Sequence, residues 1–327
     1  MSECKIFILG QGLAGTCLAW RLFERGIPFR IHDRGFGGSS RIAAGLINPI
    51  TGKNFEPSWL IQEFHPEAVS FYQKLEELLA AKLWYPLPVL RLSSSEKESR
   101  KIAAKLESSH IAPWLSDQAF PGVPTGFHTA VELKGGGRVD TELFISLSHK
   151  FFSNKGLTTE QSELPADTTI LCQGAEGLVE NKLGQHRCAK GEILTVRANW
   201  PESHIRIGAG GWLVPIGART FRIGSTYEWN QLDELPTQPG LERILGLANK
   251  LGGPDFEVIA HVAGIRPILR RSQPLIGKNK DGNWIFNALG SKGTLYAPKM
   301  ATMLSDWILD KKEPLEHFRY TGEDAAC

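Results

Sequence analysis

The chain has 327 residues, of which 42% are hydrophobic and 22% are charged, values typical of a soluble globular protein with an ample core. Its formal net charge of +2 gives no electrostatic argument for nucleic acid or an anionic membrane as a partner. We find no apolar run as long as a membrane span and no signal-peptide pattern at the N-terminus. The five cysteines are scattered and the nine histidines form no metal-ligand pattern. We therefore expect a reduced cytoplasmic protein without a metal site.

The first stretch, KIFILGQGLAG, predicts a buried parallel strand, a tight turn and the start of a helix. Ile6–Leu9 is a short apolar run, and Gly10, Gly12 and Gly15 follow in the spacing G-x-G-x-x-G. Asp33 closes a second strand roughly 20 residues later, where an acidic side chain would accept a ribose hydroxyl. A strand–turn–helix that binds nothing explains Gly10 and Gly15 but neither Gly12 nor Asp33. The pattern predicts an adenine dinucleotide site, and by itself leaves a nicotinamide dehydrogenase open.

The next segment, RGFGGSSRIAAGLINPITGKNF, is too irregular for a strand and too apolar for a solvated loop. It has two interpretations, a buried connector or a wall of backbone and small side chains against a flat ligand with phosphates. The second interpretation uses Ser39, Ser40, Arg41, Ala43 and Gly45.

Later elements follow from periodicity and capping residues. Pro66 is predicted to open a helix, and Ser95 with Glu98 predicts a capping box for a helix that runs to about Glu107. Asp140 is a predicted N-cap. Further predicted elements are strands at 87–92, 127–133, 168–172 and 284–288, strands within 191–228, a strand at 256–264, and helices at 141–152, 240–251 and 294–309. A parallel α/β unit is therefore interleaved with an antiparallel one.

Several short stretches, in order and correctly separated, resemble one superfamily, the flavoproteins of the D-amino acid oxidase, glycine oxidase and sarcosine oxidase group. These are GQGLAG with Asp33, SSRIAAGLINP, GGRVDTELF, ILCQGAEG, KGEIL, GWLVP with IGSTYE, GIRP with PLIG, and GSKGTLYAP. The resemblance implies an α/β fold in which a discontinuous Rossmann-like FAD-binding domain (1–57, 135–190 and 264–327) is interleaved with a mostly antiparallel α+β substrate-binding domain (58–134 and 191–263).

The resemblance also implies which residues bind FAD. It assigns Gly10, Gly12, Leu13, Ala14 and Gly15 to the pyrophosphate, Asp33 and Arg34 to the adenosine, Ser40, Arg41, Ala44 and Gly45 to the flavin side, Gly174 to the pyrophosphate or adenine, and Gly290, Ser291, Lys292, Gly293 and Thr294 to a helix start under the isoalloxazine. No cysteine lies near Arg266 or Lys292 in the sequence, so we expect non-covalent FAD. The segment GLTTEQSELPAD is shorter than the adenine-contacting hairpin of similar proteins, so that contact is not carried over.

The implied activity is oxidation of a small amine or amino acid by hydride transfer to flavin N5, with an electron acceptor that the sequence does not identify. Arg266 in GIRP would clamp a substrate carboxylate, and Lys292 is the second expected catalytic residue. For Arg266 the alternative is a structural ion pair or, with Arg270 and Arg271, a solvated basic patch. Weaker candidates for the substrate pocket are Trp212, Arg222 and Tyr227. Two other functions stay open, a flavoenzyme that modifies a tRNA wobble uridine and a non-catalytic flavin-binding protein.

Overall fold

The computed structural model describes residues 5–320, apart from 36, 119, 181, 182 and 271. The strands in this part of the chain are β1 (Ile6–Leu9), β2 (Phe29–His32), β3 (Leu46–Ile47), β4 (Ile50–Thr51), β5 (Glu56–Pro57), β6 (Trp84–Pro86), β7 (Val89–Ser93), β8 (Thr129–Leu133), β9 (Gly137–Val139), β10 (Thr158–Thr159), β11 (Thr168–Leu171), β12 (Ala189–Ala198), β13 (Ile205–Gly208), β14 (Gly211–Gly217), β15 (Thr220–Gly224), β16 (Phe256–Arg266), β17 (Leu275–Lys278), β18 (Trp284–Asn287) and β19 (Arg319–Tyr320). The helices are α1 (Leu13–Glu24), α2 (Ser39–Ile42), α3 (Ile61–Leu79), α4 (Glu96–Ala103), α5 (Thr141–Asn154), α6 (Gly174–Glu180), α7 (Gln238–Leu251) and α8 (Gly293–Asp310), with 3₁₀ turns at Ala112–Trp114 and Glu316–Phe318.

The first sheet has the strand order β10-β2-β1-β11-β18-β17-β19. Strands β10, β2, β1, β11 and β18 run parallel, and β17 is antiparallel to β18. Helices α1, α3, α5 and α8 pack against this sheet through one buried apolar cluster, as the continuous apolar runs of its strands predict. Parallel strands end at one edge of a sheet, and that edge is where α/β proteins bind ligands.

The second sheet has the order β16-β12-β15-β14-β13-β7-β8. Its strand pairs are antiparallel except β13 with β7. Helix α7 packs on one face through Ile244, Leu247 and Ala248. The expected combination of a Rossmann-like unit and a mostly antiparallel unit is confirmed.

Two helix predictions are wrong in their bounds. Helix α3 begins at Ile61, so Pro66 lies inside it and deprives one carbonyl of its usual N–H donor. Helix α4 ends at Ala103 and the chain continues in turns to residue 107. The capping prediction is confirmed in half: the Ser95 hydroxyl accepts a hydrogen bond from the Glu98 N–H (3.2 Å), whereas the Glu98 carboxylate accepts from the Ser94 N–H (3.0 Å).

Two other caps are as the local sequence requires. The Asp140 carboxylate accepts a hydrogen bond from the Leu143 N–H (3.1 Å) at the start of α5. The Thr237 hydroxyl accepts one from the Gly240 N–H (3.1 Å), so α7 begins slightly earlier than predicted. None of the helices within the described ranges combines the length and apolarity that crossing a membrane requires.

Candidate active site

A cavity of about 1110 Å³ lies at the carboxyl edge of the parallel strands. Its lining begins at the ends of the first sheet's strands, with Leu9, His32, Cys172 and Asn287. The second sheet contributes the opposite wall, which includes Gly191, Ile193, Trp212 and Arg266. A pocket of this size that is shared by two sheets is a natural ligand site.

The glycine-rich turn opens one end of this cavity. Gly10 has a φ of +103°, a backbone conformation that suits glycine, and a Cβ at Gly15 would collide with the Gly10 carbonyl oxygen. Gly12 is the N-cap of α1 and has no side chain to satisfy the helix N–H groups. The first turn of α1 carries no acidic residue. The positive end of the helix therefore faces the cavity, where an anion can bind.

Asp33 at the end of β2 fixes this turn to the next segment. One carboxylate oxygen accepts a hydrogen bond from the Gln11 N–H (3.3 Å), and the other lies 2.6 Å from the Arg41 guanidinium. The Ser40 hydroxyl accepts a hydrogen bond from the Leu13 N–H (3.2 Å). Asp33, Ser40 and Arg41 all line the cavity, as do Arg34, Ala44 and Gly45.

Arg266 is held rigidly at the end of β16. Its guanidinium donates hydrogen bonds to the Ser225 hydroxyl (2.5 Å), the Thr226 carbonyl (3.2 Å) and the Ala189 carbonyl (3.4 Å). The Tyr227 ring lies 4.1 Å from the guanidinium carbon. A Cβ at Gly191 would collide with the guanidinium, so glycine there makes room for it.

Among the residues that the structure describes, the Arg266 environment is polar but offers no counter-charge. Desolvation lowers the pKa of its guanidinium, and no carboxylate of the described residues lies within ion-pair distance of it. An arginine has five N–H donors, and three protein acceptors leave some of them for a ligand. The ion-pair alternative therefore does not apply within the described residues; Arg271 lies outside them.

Lys292 is the N-cap residue of α8 and also lines the cavity. Its ammonium group donates a hydrogen bond to the Thr51 hydroxyl (3.1 Å) in the β4–β5 hairpin. Burial lowers its pKa to about 8. The turn that carries it is tied to the arginine strand, because the Gly290 N–H donates to the Pro267 carbonyl (2.9 Å).

The remaining predicted residues are placed as follows. Lining the cavity are Leu13, Ala14, Gly174, Trp212, Tyr227, Gly290, Ser291, Gly293 and Thr294. Gly15 instead packs against Gly10. The structure does not bring Arg222 to the cavity, because its guanidinium turns to the Ala43 carbonyl (2.6 Å) and to Glu142 (3.4 Å).

Residues 228–236, which we call the crossing segment, form a part of the wall that the sequence did not indicate. The Glu234 carboxylate accepts a hydrogen bond from the Gly38 N–H (2.8 Å), so this segment reaches from the second sheet to the loop after β2. The Asp233 carboxylate lies 2.6 Å from the ammonium of Lys190, a fully buried side chain of β12. These partners are far apart in the chain and have no motif spacing that could have indicated them.

The charges that line the cavity are unevenly paired. Four of the five lining carboxylates have basic partners, namely Asp33 with Arg41, Glu176 and Glu234 with Arg34, and Asp233 with Lys190, and the fifth, Glu180, is exposed. Arg266 and Lys292 have no carboxylate partner among the residues that the structure describes. Partly buried cations without a counter-charge are costly, so this arrangement favours an anionic ligand.

Solved structures with the same fold support this picture of the architecture. Glycine oxidase from Geobacillus kaustophilus superimposes with a TM-score of 0.83 at 18% identity, over 98% of this chain and 99% of that one. Iminodiacetate oxidase from a Chelativorans species gives 0.77 at 18% identity, over 97% and 99%. L-proline dehydrogenase from P. horikoshii gives 0.74 at 15% identity, over 96% and 95%. At these identities the likeness establishes the fold.

Curated relatives and a family model show to which family the chain is related. The chain is 21% identical over 382 aligned residues to the bifunctional protein MnmC of Leptospira interrogans, named for tRNA 5-methylaminomethyl-2-thiouridine biosynthesis, and spans 58% of its length. It is 30% identical over 105 residues to the Marinobacter nauticus protein of the same name, and this match covers 31% of the chain and 16% of that protein. The model of the FAD-dependent oxidoreductases of the DAO family matches residues 5–307. The chain therefore belongs to the DAO family of FAD-dependent oxidoreductases.

Proposed function

We propose that the protein oxidises a small amine or amino acid with non-covalently bound FAD. The observation that carries this proposal is Arg266, a guanidinium fixed on one wall of the cavity without a carboxylate partner among the described residues. Its planar donors suit a substrate carboxylate. The open end of α1 lies on the same cavity and suits the cofactor's pyrophosphate.

The residues present fit FAD. Gly12 adds no side chain of its own at the start of α1, and the nearest atom to a Cβ there would be the Ser40 hydroxyl at 3.1 Å. Asp33 and Arg34 would hold the adenosine end, and the start of α8 would lie beside the flavin. When bound, FAD supplies a two-electron acceptor for the amine-bearing carbon.

The protein's own contribution is orientation and electrostatics. Arg266 would hold the substrate carboxylate and thereby fix the neighbouring carbon and amine. Ser225 would support this role, because its hydroxyl occupies one guanidinium N–H in the structure and can turn away when a carboxylate arrives. Ile207 and Trp212 supply apolar surface that would limit water in the pocket. Oxidation of the amine gives an imine, which water converts to a carbonyl compound and a free amine.

The decisive experiment is anaerobic titration of the holoenzyme with a panel of amines and amino acids, followed by flavin absorbance. We expect bleaching by at least one amino acid. In Arg266→Lys the charge stays but the planar fork is lost, so the half-saturating concentration should rise roughly ten- to hundredfold while FAD stays bound. Unchanged turnover in that variant would remove Arg266 from the substrate site, and a flavin that no amine bleaches would indicate a non-catalytic flavin protein.

A second candidate is oxidation of an amine on a tRNA wobble uridine. The relationship to MnmC proteins covers 95% of the chain, and Tyr227 and Trp229 expose neighbouring rings, with centroids 5.9 Å apart and planes tilted by 32°. Such rings can stack on a nucleobase. Nucleoside analysis of tRNA from a deletion strain would show an accumulated precursor if this function is correct, and an unchanged profile would exclude it.

We also propose the domain division given above, 1–57, 135–190 and 264–327 for FAD and 58–134 and 191–263 for the substrate; the ends at 1–4 and 321–327 lie outside the described residues. We propose a cytoplasmic location because Cys17, Cys172 and Cys188 are free thiols. Cys4 and Cys327 lie outside the described residues.

A further inference from the structure

The strand pairing beside Arg266 is interrupted by one extra residue. Strand β12 pairs with β15 as far as Gly224 and pairs again with the crossing segment at Glu228. Between these two points, two residues of β12 (191–192) face three residues of the other chain segment (225–227), which we call the bulge. A β-bulge disrupts the regular exchange of backbone hydrogen bonds and redirects the groups that belong to it.

Thr226, in the middle of the bulge, repairs the interrupted ladder with its side chain. The backbone N–H of Glu192 donates a hydrogen bond to the Thr226 hydroxyl (2.9 Å), where a regular ladder would supply a carbonyl oxygen. The Thr226 carbonyl instead accepts a hydrogen bond from the Arg266 guanidinium (3.2 Å). Thr226 is only 6% exposed, so water does not readily take the place of its hydroxyl.

All three residues of the bulge contact the Arg266 guanidinium. The Ser225 hydroxyl and the Thr226 carbonyl accept its hydrogen bonds, and the Tyr227 ring lies 4.1 Å from its central carbon. Ser225 and Tyr227 line the cavity, whereas Thr226 is not among the lining residues that the structure describes. Thr226 therefore reaches the cavity only through the guanidinium that it helps to hold.

We propose that Thr226 is a positioning residue for Arg266, because its hydroxyl takes the ladder hydrogen bond and leaves its carbonyl free to hold the guanidinium. The inference rests on the proposed role of Arg266 in binding a carboxylate. Without the hydroxyl, the Glu192 N–H would draw a carbonyl of the bulge back into the ladder, because a buried N–H without an acceptor is costly. The guanidinium would then lose an acceptor and its fixed orientation towards a ligand.

Equilibrium binding tests this role without turnover. The probes are propionate and propionamide, which have similar shapes but differ in charge, titrated separately into the FAD-bound protein and followed by the flavin absorbance change. The readout is the dissociation constant of propionamide divided by that of propionate. We expect a ratio of at least about ten in wild type, because the carboxylate gains charge-assisted hydrogen bonds, and a ratio near one in Arg266→Met.

Four further variants isolate the Thr226 hydroxyl. Thr226→Val and the smaller Thr226→Ala both remove it and should lower the ratio at least about threefold, while Thr226→Ser keeps it and should retain the wild-type ratio. Thr129→Val is the matched control. The Thr129 hydroxyl lies 2.7 Å from the Ser93 hydroxyl in the same sheet, away from the cavity, so its loss should leave the ratio unchanged.

The outcomes separate this inference from the proposed function. A wild-type ratio in Thr226→Val and Thr226→Ala would overturn the role of Thr226, and so would an equal fall in Thr129→Val. A ratio near one in wild type, or no detectable binding of propionate, would overturn both the inference and the carboxylate-binding role of Arg266. The expected ratios in a protein whose flavin no amine bleaches would keep the inference and overturn the proposed reaction.

Discussion

Burial of the Lys292 ammonium lowers the stability of the folded protein when no ligand is bound. Its pKa is lowered from 10.5 to about 8 by desolvation, so below pH 8 the folded protein carries a poorly solvated ammonium. The unfolded chain holds that proton up to about pH 10.5, so wild-type stability should rise between pH 8 and 10 on this account.

We therefore expect Lys292→Met to be more stable than wild type at pH 7 in the FAD-free protein, with the advantage shrinking towards pH 10. Chemical unfolding at both pH values measures it. Lys280→Met, an exposed position away from the cavity, is the control and should show no such trend. A wild type that is more stable than Lys292→Met at pH 7 would contradict the assigned burial cost.

Replacing one or the other partner of the Lys190–Asp233 pair should destabilise the protein to different extents. Lys190 is fully buried, whereas the Asp233 side chain is 35% exposed. Asp233→Asn leaves a buried ammonium without its counter-charge, and Lys190→Met leaves only a solvated carboxylate. Thermal unfolding should therefore show a clearly larger loss of Tm for Asp233→Asn, and equal losses would count against the pairing.

The stabilisation by the Lys190–Asp233 pair should be lost over a defined acidic pH range. Its hydrogen bond from Lys190 is the main reason that the pKa of Asp233 falls from 3.8 to about 2. The stabilisation is therefore complete above pH 4 and disappears as the pH falls towards 2. Asp233→Asn should lack this step in an acid unfolding series.

At the scale of the elements, two glycines of the glycine-rich turn should have different roles. We expect Gly12 to matter for cofactor binding and Gly15 for folding. Gly12 has a φ of −79°, and among the described residues a methyl group there would meet the Ser40 side chain, whose hydroxyl would lie at 3.1 Å. Gly12→Ala should fold but bind FAD much more weakly, because its methyl group enters the space in front of the helix start. Gly15→Ala should fail to fold stably, because its methyl group collides with the Gly10 backbone.

Circular dichroism and FAD fluorescence distinguish the two glycine variants. Native secondary structure with lost FAD is the expected result for Gly12→Ala, and lost structure for Gly15→Ala. A Gly12→Ala protein that retains wild-type FAD affinity would show that the phosphates bind elsewhere.

These elements also show what the sequence could predict. The turn at Gly10–Gly15 and the Asp140 cap depend on residues a few positions apart, so local pattern is sufficient. The Arg266 environment is not local, because Gly191, Ser225 and Tyr227 reach it from separate strands and loops. The resemblance indicated the arginine itself, but only the paired strands show what surrounds it.

Arg222 and Pro66 are two residues whose structural role the sequence pattern did not predict correctly. Arg222 lies on β15 of the second sheet, and the sequence does not show that its long side chain turns to the Ala43 carbonyl. Pro66 is favoured at the first turn of a helix, but tertiary packing of Ile61 and Phe64 extends α3 before it.

Across the whole molecule, the crossing segment joins the two sheets over the cavity. Glu228 and Lys190 exchange backbone hydrogen bonds at one end, and Thr237 bonds to Glu192 at the other. Between them, Glu234 bonds to the Gly38 N–H. The segment therefore forms the wall of the cavity on this side.

We expect Glu234→Ala to release FAD roughly two- to tenfold faster than wild type, because one hydrogen bond that closes the cavity is lost. The recovery of free FAD fluorescence after dilution measures the rate. Glu242→Ala on the exposed side of α7 is the matched control. Equal release rates in all three proteins would show that FAD leaves by another side.

The distance along the chain between the two helix starts has a consequence for the order of synthesis. Gly293 packs against Leu13, so the last long helix completes the wall that the first helix begins. During translation, α1 leaves the ribosome long before α8 exists. The newly made chain must therefore protect the apolar face of α1 without its final neighbour, and the cavity that we propose for FAD is complete only after α8 has been made.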